Sequence, residues 1–196
     1  MRIFLFFISL TYFTFLIPSK IKPQNINNDT VITLNNNIYG NIKIKLYGKT
    51  PLHKKNFLNS IKNGIVSYKV IPNTLVSFRF DNTDTTKIPQ EIIPQSISKK
   101  GSIIAVNIPS NTNYTSATEF FIIIGKKYSI EDINNIAYRK NKKYSQQQID
   151  TYLNIGGLPE FDDNYTIFGE IIEGLDIISK LPSENIENIK FTTIKD

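Results

Sequence analysis

The sequence predicts a mainly-β domain, an antiparallel barrel or sandwich capped by helices, with a helical hairpin inserted late in the chain. Three observations predict it. Short apolar runs recur at 65–71, 75–80, 102–107, 119–124 and 165–171, separated by turn formers such as Gly64, Pro72, Gly101, Gly125 and Asn164. One early segment carries a helix start and a helix stop. Residues 129–154 carry two consecutive capping boxes inside an otherwise strand-rich chain.

The elements follow in order. Residues 20–30 (KIKPQNINNDT) read as a polar linker, and the folded domain spans 31–196. Ile42, Ile44 and Leu46 alternate with Lys43 and Lys45, the period of a half-buried strand, and Gly40 marks a hairpin before it. Thr50 is placed as an N-cap, Pro51 as the first helical residue and Gly64 as the stop, giving a helix near 51–63. Leu52, Phe57, Leu58 and Ile61 are expected on its core face, and His53, in a polar stretch, is read as solvated. The run 190–194 closes the sheet.

In the insert, Ser129 with Asp132 precedes Ile130, Ile133, Ile136 and Ala137, while Ser145 with Gln148 precedes Ile149, Tyr152 and Leu153. A basic turn, RKNKKY, separates the two helices and Gly156 ends the second. Such a hairpin either covers one end of a barrel or offers a surface to a partner. Covering requires that Ile149, Tyr152 and Leu153 pack inward.

Composition removes several function classes. The chain of 196 residues holds no cysteine and one histidine, so thiolate metal sites, disulfides and a Cys nucleophile are excluded. Net charge is +6, but 20 of the 23 cations are scattered lysines, a pattern of solubility rather than of a nucleic-acid interface. Residues 1–19 read as a signal peptide: Met1-Arg2 is a short positive start, and Ile3–Ile17 is an apolar stretch of 15 residues ended by Pro18. That length is short for a membrane span. No small-x-small cleavage pair follows, so an uncleaved N-terminal anchor is the alternative, and the only expected contact with a membrane. The expected location is outside the cytoplasm, in the periplasm or cell envelope.

The segment NYTIFGEIIEGLDIISKL resembles the closing strand and helix of cyclophilins, the peptidyl-prolyl cis-trans isomerases. Upstream, TPLHKKNF is similar to the family's first helix, IPQEI to a later loop segment, and KKGSIIAVN and ATEFFIIIGKKYS to its central strands. The insert after GKKYS is similar to those of divergent exported members from Bacteroidetes-type bacteria. The resemblance implies a cyclophilin-like eight-stranded antiparallel barrel, no cofactor, and proline-containing polypeptides as partners.

Proline isomerisation asks little of bond chemistry. Amide resonance sets a barrier of about 18–20 kcal/mol, and no bond is broken. An apolar pocket that grips the ring, together with a cation and donors that favour the twisted amide, is sufficient. By resemblance, Lys69 stands at the family's catalytic arginine and Glu119 at its second glutamine, where it could neutralise Lys69. Lysine keeps the charge and loses the planar fork; glutamate accepts where glutamine donated. Substrate-binding positions fall on Thr74, Leu75, Ser77, Asn107, Phe121, Phe161 and Tyr165, with Glu160 at the rim. Arg79 lies close by and either replaces the missing guanidinium or is a surface strand residue. Two functions are compatible with these substitutions. One is an exported isomerase of weakened activity that assists folding of envelope or secreted proteins. The other is a non-catalytic chaperone or a subunit of an envelope or secretion assembly.

Overall fold

The computed structural model describes residues 28–36, 38–81, 86–182 and 192–194. The predicted targeting segment and most of the linker lie outside them. Strands β1 (Thr30–Asn36) and β2 (Gly40–Leu46) form the first hairpin. Gly40 takes φ 104 there, a left-handed backbone open to a residue without Cβ. Helix α1 (Pro51–Ser60) runs into a single 3-10 turn, Ile61–Asn63. Next come β3 (Ile65–Ile71), β4 (Leu75–Phe80), a short β5 (Lys87–Pro89), β6 (Ser102–Ile108) and β7 (Asn111–Ile123). The insert supplies α2 (Ile130–Arg139) and α3 (Gln146–Asn154). The chain returns as β8 (Ile167–Glu173), α4 (Leu175–Ser179) and β9 (Thr192–Ile194).

Every ladder is antiparallel, in the order β3-β4-β7-β6-β8-β2-β1-β9, with β5 pairing onto β7. The sheet curls into a half-barrel. Its inner face holds the main core, including Ile42, Ile44, Val76, Phe78, Phe120 and Phe168. Phe57 of α1 plugs it, with Phe80, Phe120 and Phe168 around its ring at 5.3–5.8 Å.

That plug fixes the rotation of α1 and overturns two sequence expectations. Residues four apart share one helix face, so Phe57 carries Ile61 and His53 inward with it. His53 is therefore buried, not solvated, and Leu52, one position away, is 47% exposed instead of facing the core. Leu58 is half-buried against the core.

Both capping boxes of the insert form: Ser129 and Ser145 each accept from the N3 backbone and are capped in return by Asp132 and Gln148. Ile133, Ile136 and Tyr152 make a small buried cluster of their own, with Ile97 from the barrel side packed against it. Tyr152 is fully buried, and Ile149 and Leu153 are half-buried. Tyr152 and Ile149 face inward, as a cap over the barrel end requires.

Candidate functional site

Strand alternation separates core from site. On β4, Val76, Phe78 and Phe80 join the main core, so Leu75, Ser77 and Arg79 point to the other face. The same split on β7 sends Phe120 and Ile122 inward and Glu119, Phe121 and Ile123 outward. Outside the barrel, Leu75, Ile104, Ile123 and Ile167 form a second apolar cluster, covered in part by Phe121, Leu158, Phe161 and Tyr165. A one-residue slip in any of these strands would exchange the two faces.

Register then assembles the predicted residues. Lys69 pairs with Ser77, Ser77 with Phe121, Phe121 with Ile104 and Ile104 with Ile167, one continuous row across five strands. Lys69 is exposed and Ser77 half-buried. Leu75 lies two residues along β4, on the same face and fully within the apolar cluster. Thr74 closes the β3–β4 turn, its hydroxyl donating to the Pro72 carbonyl at 3.1 Å and its own carbonyl receiving Ile124 N and Gly125 N.

The rim comes from a loop beyond the insert. Phe161 stacks on Tyr165, with ring centroids 4.3 Å apart, and lies 6.5 Å from Phe121. Asn107 is held by amides: its Oδ1 accepts from Gln90 Nε2 at 2.8 Å and its Nδ2 donates to the Asn164 carbonyl at 3.0 Å. Gln90 Nε2 also reaches that carbonyl, at 3.1 Å. These residues, with Asn113, Phe161 and Tyr165, line a cleft of about 450 Å³. A larger cleft, about 630 Å³, lies between α3 and Tyr47 of the barrel and contains none of the predicted site residues.

The charged positions are arranged differently from the expectation. Glu119 stands opposite Arg79, not Lys69. Lys69 is two strands away and a further two residues along, roughly 10 Å across and ~7 Å in the strand direction. Among the described residues neither Lys69 nor Arg79 forms an ion pair with Glu119. Glu160, at the rim, is paired instead with Arg139 of α2 at 2.6 Å.

A family model described as "Cyclophilin type peptidyl-prolyl cis-trans isomerase/CLD" matches residues 30–195. The chain belongs to the cyclophilin-type isomerase family. A peptidyl-prolyl cis-trans isomerase of Acinetobacter baylyi is 26% identical over 164 residues, covering 78% of this chain and 72% of that protein. Among solved structures, a Cryptosporidium parvum cyclophilin-type isomerase aligns with TM-score 0.58 at 16% identity, over 86% of this chain and 99% of that one. A cyclophilin from Hirschia baltica aligns with TM-score 0.52 at 13% identity, over 84% and 73%. At such identities the structures establish the shared fold.

The row Lys69–Ser77–Phe121 beside Leu75 lies on the face of the sheet opposite the core. Two residues of the site were not singled out from sequence. Gln90 lies inside the IPQEI segment that carried the resemblance, but its amide role depends on Asn107 and Asn164, 17 and 74 residues away. Asp162 hides in an acidic turn, and its partners lie in the insert and before β6.

Proposed function

We propose that this chain is an exported peptidyl-prolyl cis-trans isomerase acting on folding envelope or secreted proteins, with activity below that of members bearing an arginine at the Lys69 position. The observation that carries it is the outer-face row Lys69–Ser77–Phe121 beside Leu75. It puts a cation, a hydroxyl and an apolar wall on one side of the sheet, outside the core. A proline ring resting against Phe121 and Phe161, above the buried Leu75, leaves its amide facing Ser77 and Lys69. As the amide twists, its nitrogen becomes pyramidal and gains a lone pair that a donor can stabilise; this interaction is absent from the planar ground state, so it lowers the barrier.

A protease-coupled proline-peptide assay on the mature chain tests this. Acceleration over the thermal rate is expected, with Lys69→Ala lowering kcat/KM about tenfold or more, or about 1.4 kcal/mol. Lys69→Arg with Glu119→Gln is expected to raise it, because the fork and a donor return. A folded wild type without acceleration removes the catalytic reading. Glu119 facing Arg79 where a donor would serve catalysis supports the second reading, a non-catalytic chaperone or assembly subunit. Recovery of an envelope complex with the inactive protein would favour it.

A further inference from the structure

The insert reaches the pocket rim through one buried carboxylate. Asp162 directly follows Phe161 and is fully buried. Its Oδ1 accepts from Ser98 N at 2.7 Å and from the Tyr152 hydroxyl at 2.7 Å; its Oδ2 accepts from Tyr144 at 3.0 Å, and Tyr152 also lies 2.8 Å from it. Lys142 Nζ stands 3.5 Å from Oδ2. Three of these four partners belong to the insert; the two tyrosines donate hydrogen bonds, while Lys142, closer to Asp163 at 2.6 Å, adds only its charge.

The backbone around Phe161 is gripped as well. Lys140 Nζ donates to the carbonyls of Glu160 at 2.8 Å and Asp162 at 2.9 Å, one on each side of Phe161. Phe161 is therefore placed through its chain neighbours, by groups of the insert. Its ring in turn carries the stack with Tyr165. Burial, with Asp162 second, pushes both tyrosine hydroxyls well above their ordinary range, so both remain protonated donors.

We propose that Asp162 is a positioning residue through which the helical hairpin sets the Phe161–Tyr165 wall, and hence how tightly a proline-containing peptide is held. This rests on the reading of that wall as part of the proline pocket. The test uses the mature full chain with Tyr144→Phe/Tyr152→Phe, which removes two hydroxyls and no ring, and Ile133→Val, which loosens the insert's cluster without touching Asp162. Asp162→Asn is the stronger variant if it folds.

The tyrosine double variant is expected to raise KM about five- to tenfold with kcat within about twofold, the pattern of lost uniform binding. The ring-current shifts of Phe161 and Tyr165, read by NMR without substrate, should move together. Ile133→Val should lower the unfolding midpoint and leave KM and ring shifts alone. Unchanged KM in the double variant overturns the proposal, as does a loss confined to kcat, or an equal KM change in Ile133→Val. If the wild type does not isomerise at all, the functional reading fails. The ring shifts then decide the positioning claim: movement in the double variant alone upholds it, and no movement overturns it.

Discussion

Two carboxylates, Asp162 fully buried and Glu91 half-buried, tie down loops that line the cleft, and they do so with different chemistry. Glu91 fastens the segment carrying Gln90 to the start of α1. It accepts from Leu52 N at 3.1 Å and His53 N at 3.0 Å, and lies 2.6 Å from His53 Nδ1. Thr50 forms no side-chain cap on that helix, so a carboxylate 38 residues away in sequence satisfies the first turn, where the helix dipole also favours it. Asp162 fastens the loop carrying Phe161 to the insert, using tyrosine hydroxyls and a lysine. Glu91 draws on two backbone donors besides its histidine; Asp162 draws on one, and otherwise on side chains. The Asp162 node therefore depends more on individual residues.

The largest expected effect breaks that dependence. Tyr152→Ala removes a fully buried ring and leaves Asp162 short of its best donor. A loss of roughly 3–5 kcal/mol is expected, the range for emptying a buried aromatic site, with the hydroxyl's loss added at the upper end. Urea unfolding checks it. A loss below about 1 kcal/mol, the scale of one ordinary hydrogen bond, would show that the node tolerates its absence.

The Glu91 node is sharpened by pH. Burial lowers the His53 value from its ordinary one, opposed by hydrogen bonding and charge from Glu91. The neutral ring carries its proton on Nδ1, facing Glu91; Thr115 Oγ1, 2.8 Å from Nε2, also lies 3.2 Å from the Ile88 carbonyl, so its single proton serves one of the two. With the folded value lowered, the unfolded chain takes up the proton first as pH falls. This stability is present above about 6.5, the unperturbed histidine value, and is lost progressively as pH falls from there toward the folded value. Urea midpoints at three pH values spanning about 5.5 to 7.5 should fall on acidification for wild type and fall less for His53→Leu. Equal slopes would mean that burial and Glu91 cancel at His53, and a wild type that gains stability in acid relative to His53→Leu would mean that Glu91 prevails and the folded ring is charged.

What was legible in the sequence was local or periodic. The capping boxes at Ser129 and Ser145 are complete within four residues each, and the structure forms both. Short apolar runs located LVSFRF and EFFIII as strands, but the face that brings Leu75, Ser77 and Phe121 together is set by the pairing of β4 with β7. His53 was misread because its neighbours in sequence are polar while its burial is decided by Phe57 and by a strand partner, Thr115, 62 residues on. Within the FDDN turn, Asp162 is fully buried and Asp163 is exposed with φ 64. Nothing local distinguishes those two aspartates; the insert's tyrosines do.

The smallest expected effect separates the buried tie from a nearby surface one. Arg139 and Glu160 make a 2.6 Å ion pair between α2 and the same rim loop, and on distance alone it rivals the Asp162 contacts. Exposure decides otherwise. The two side chains are 63% and 49% exposed, so water and salt screen their charges and both give up rotamer freedom to meet. Arg139→Ala is therefore expected to change stability by only about 0–1 kcal/mol and to leave KM within about twofold of wild type. Any effect should shrink further in high salt. Urea unfolding and the coupled assay, each at low and high ionic strength, check both halves. A KM rise matching that of the tyrosine double variant would move the coupling between insert and pocket from Asp162 to this exposed pair.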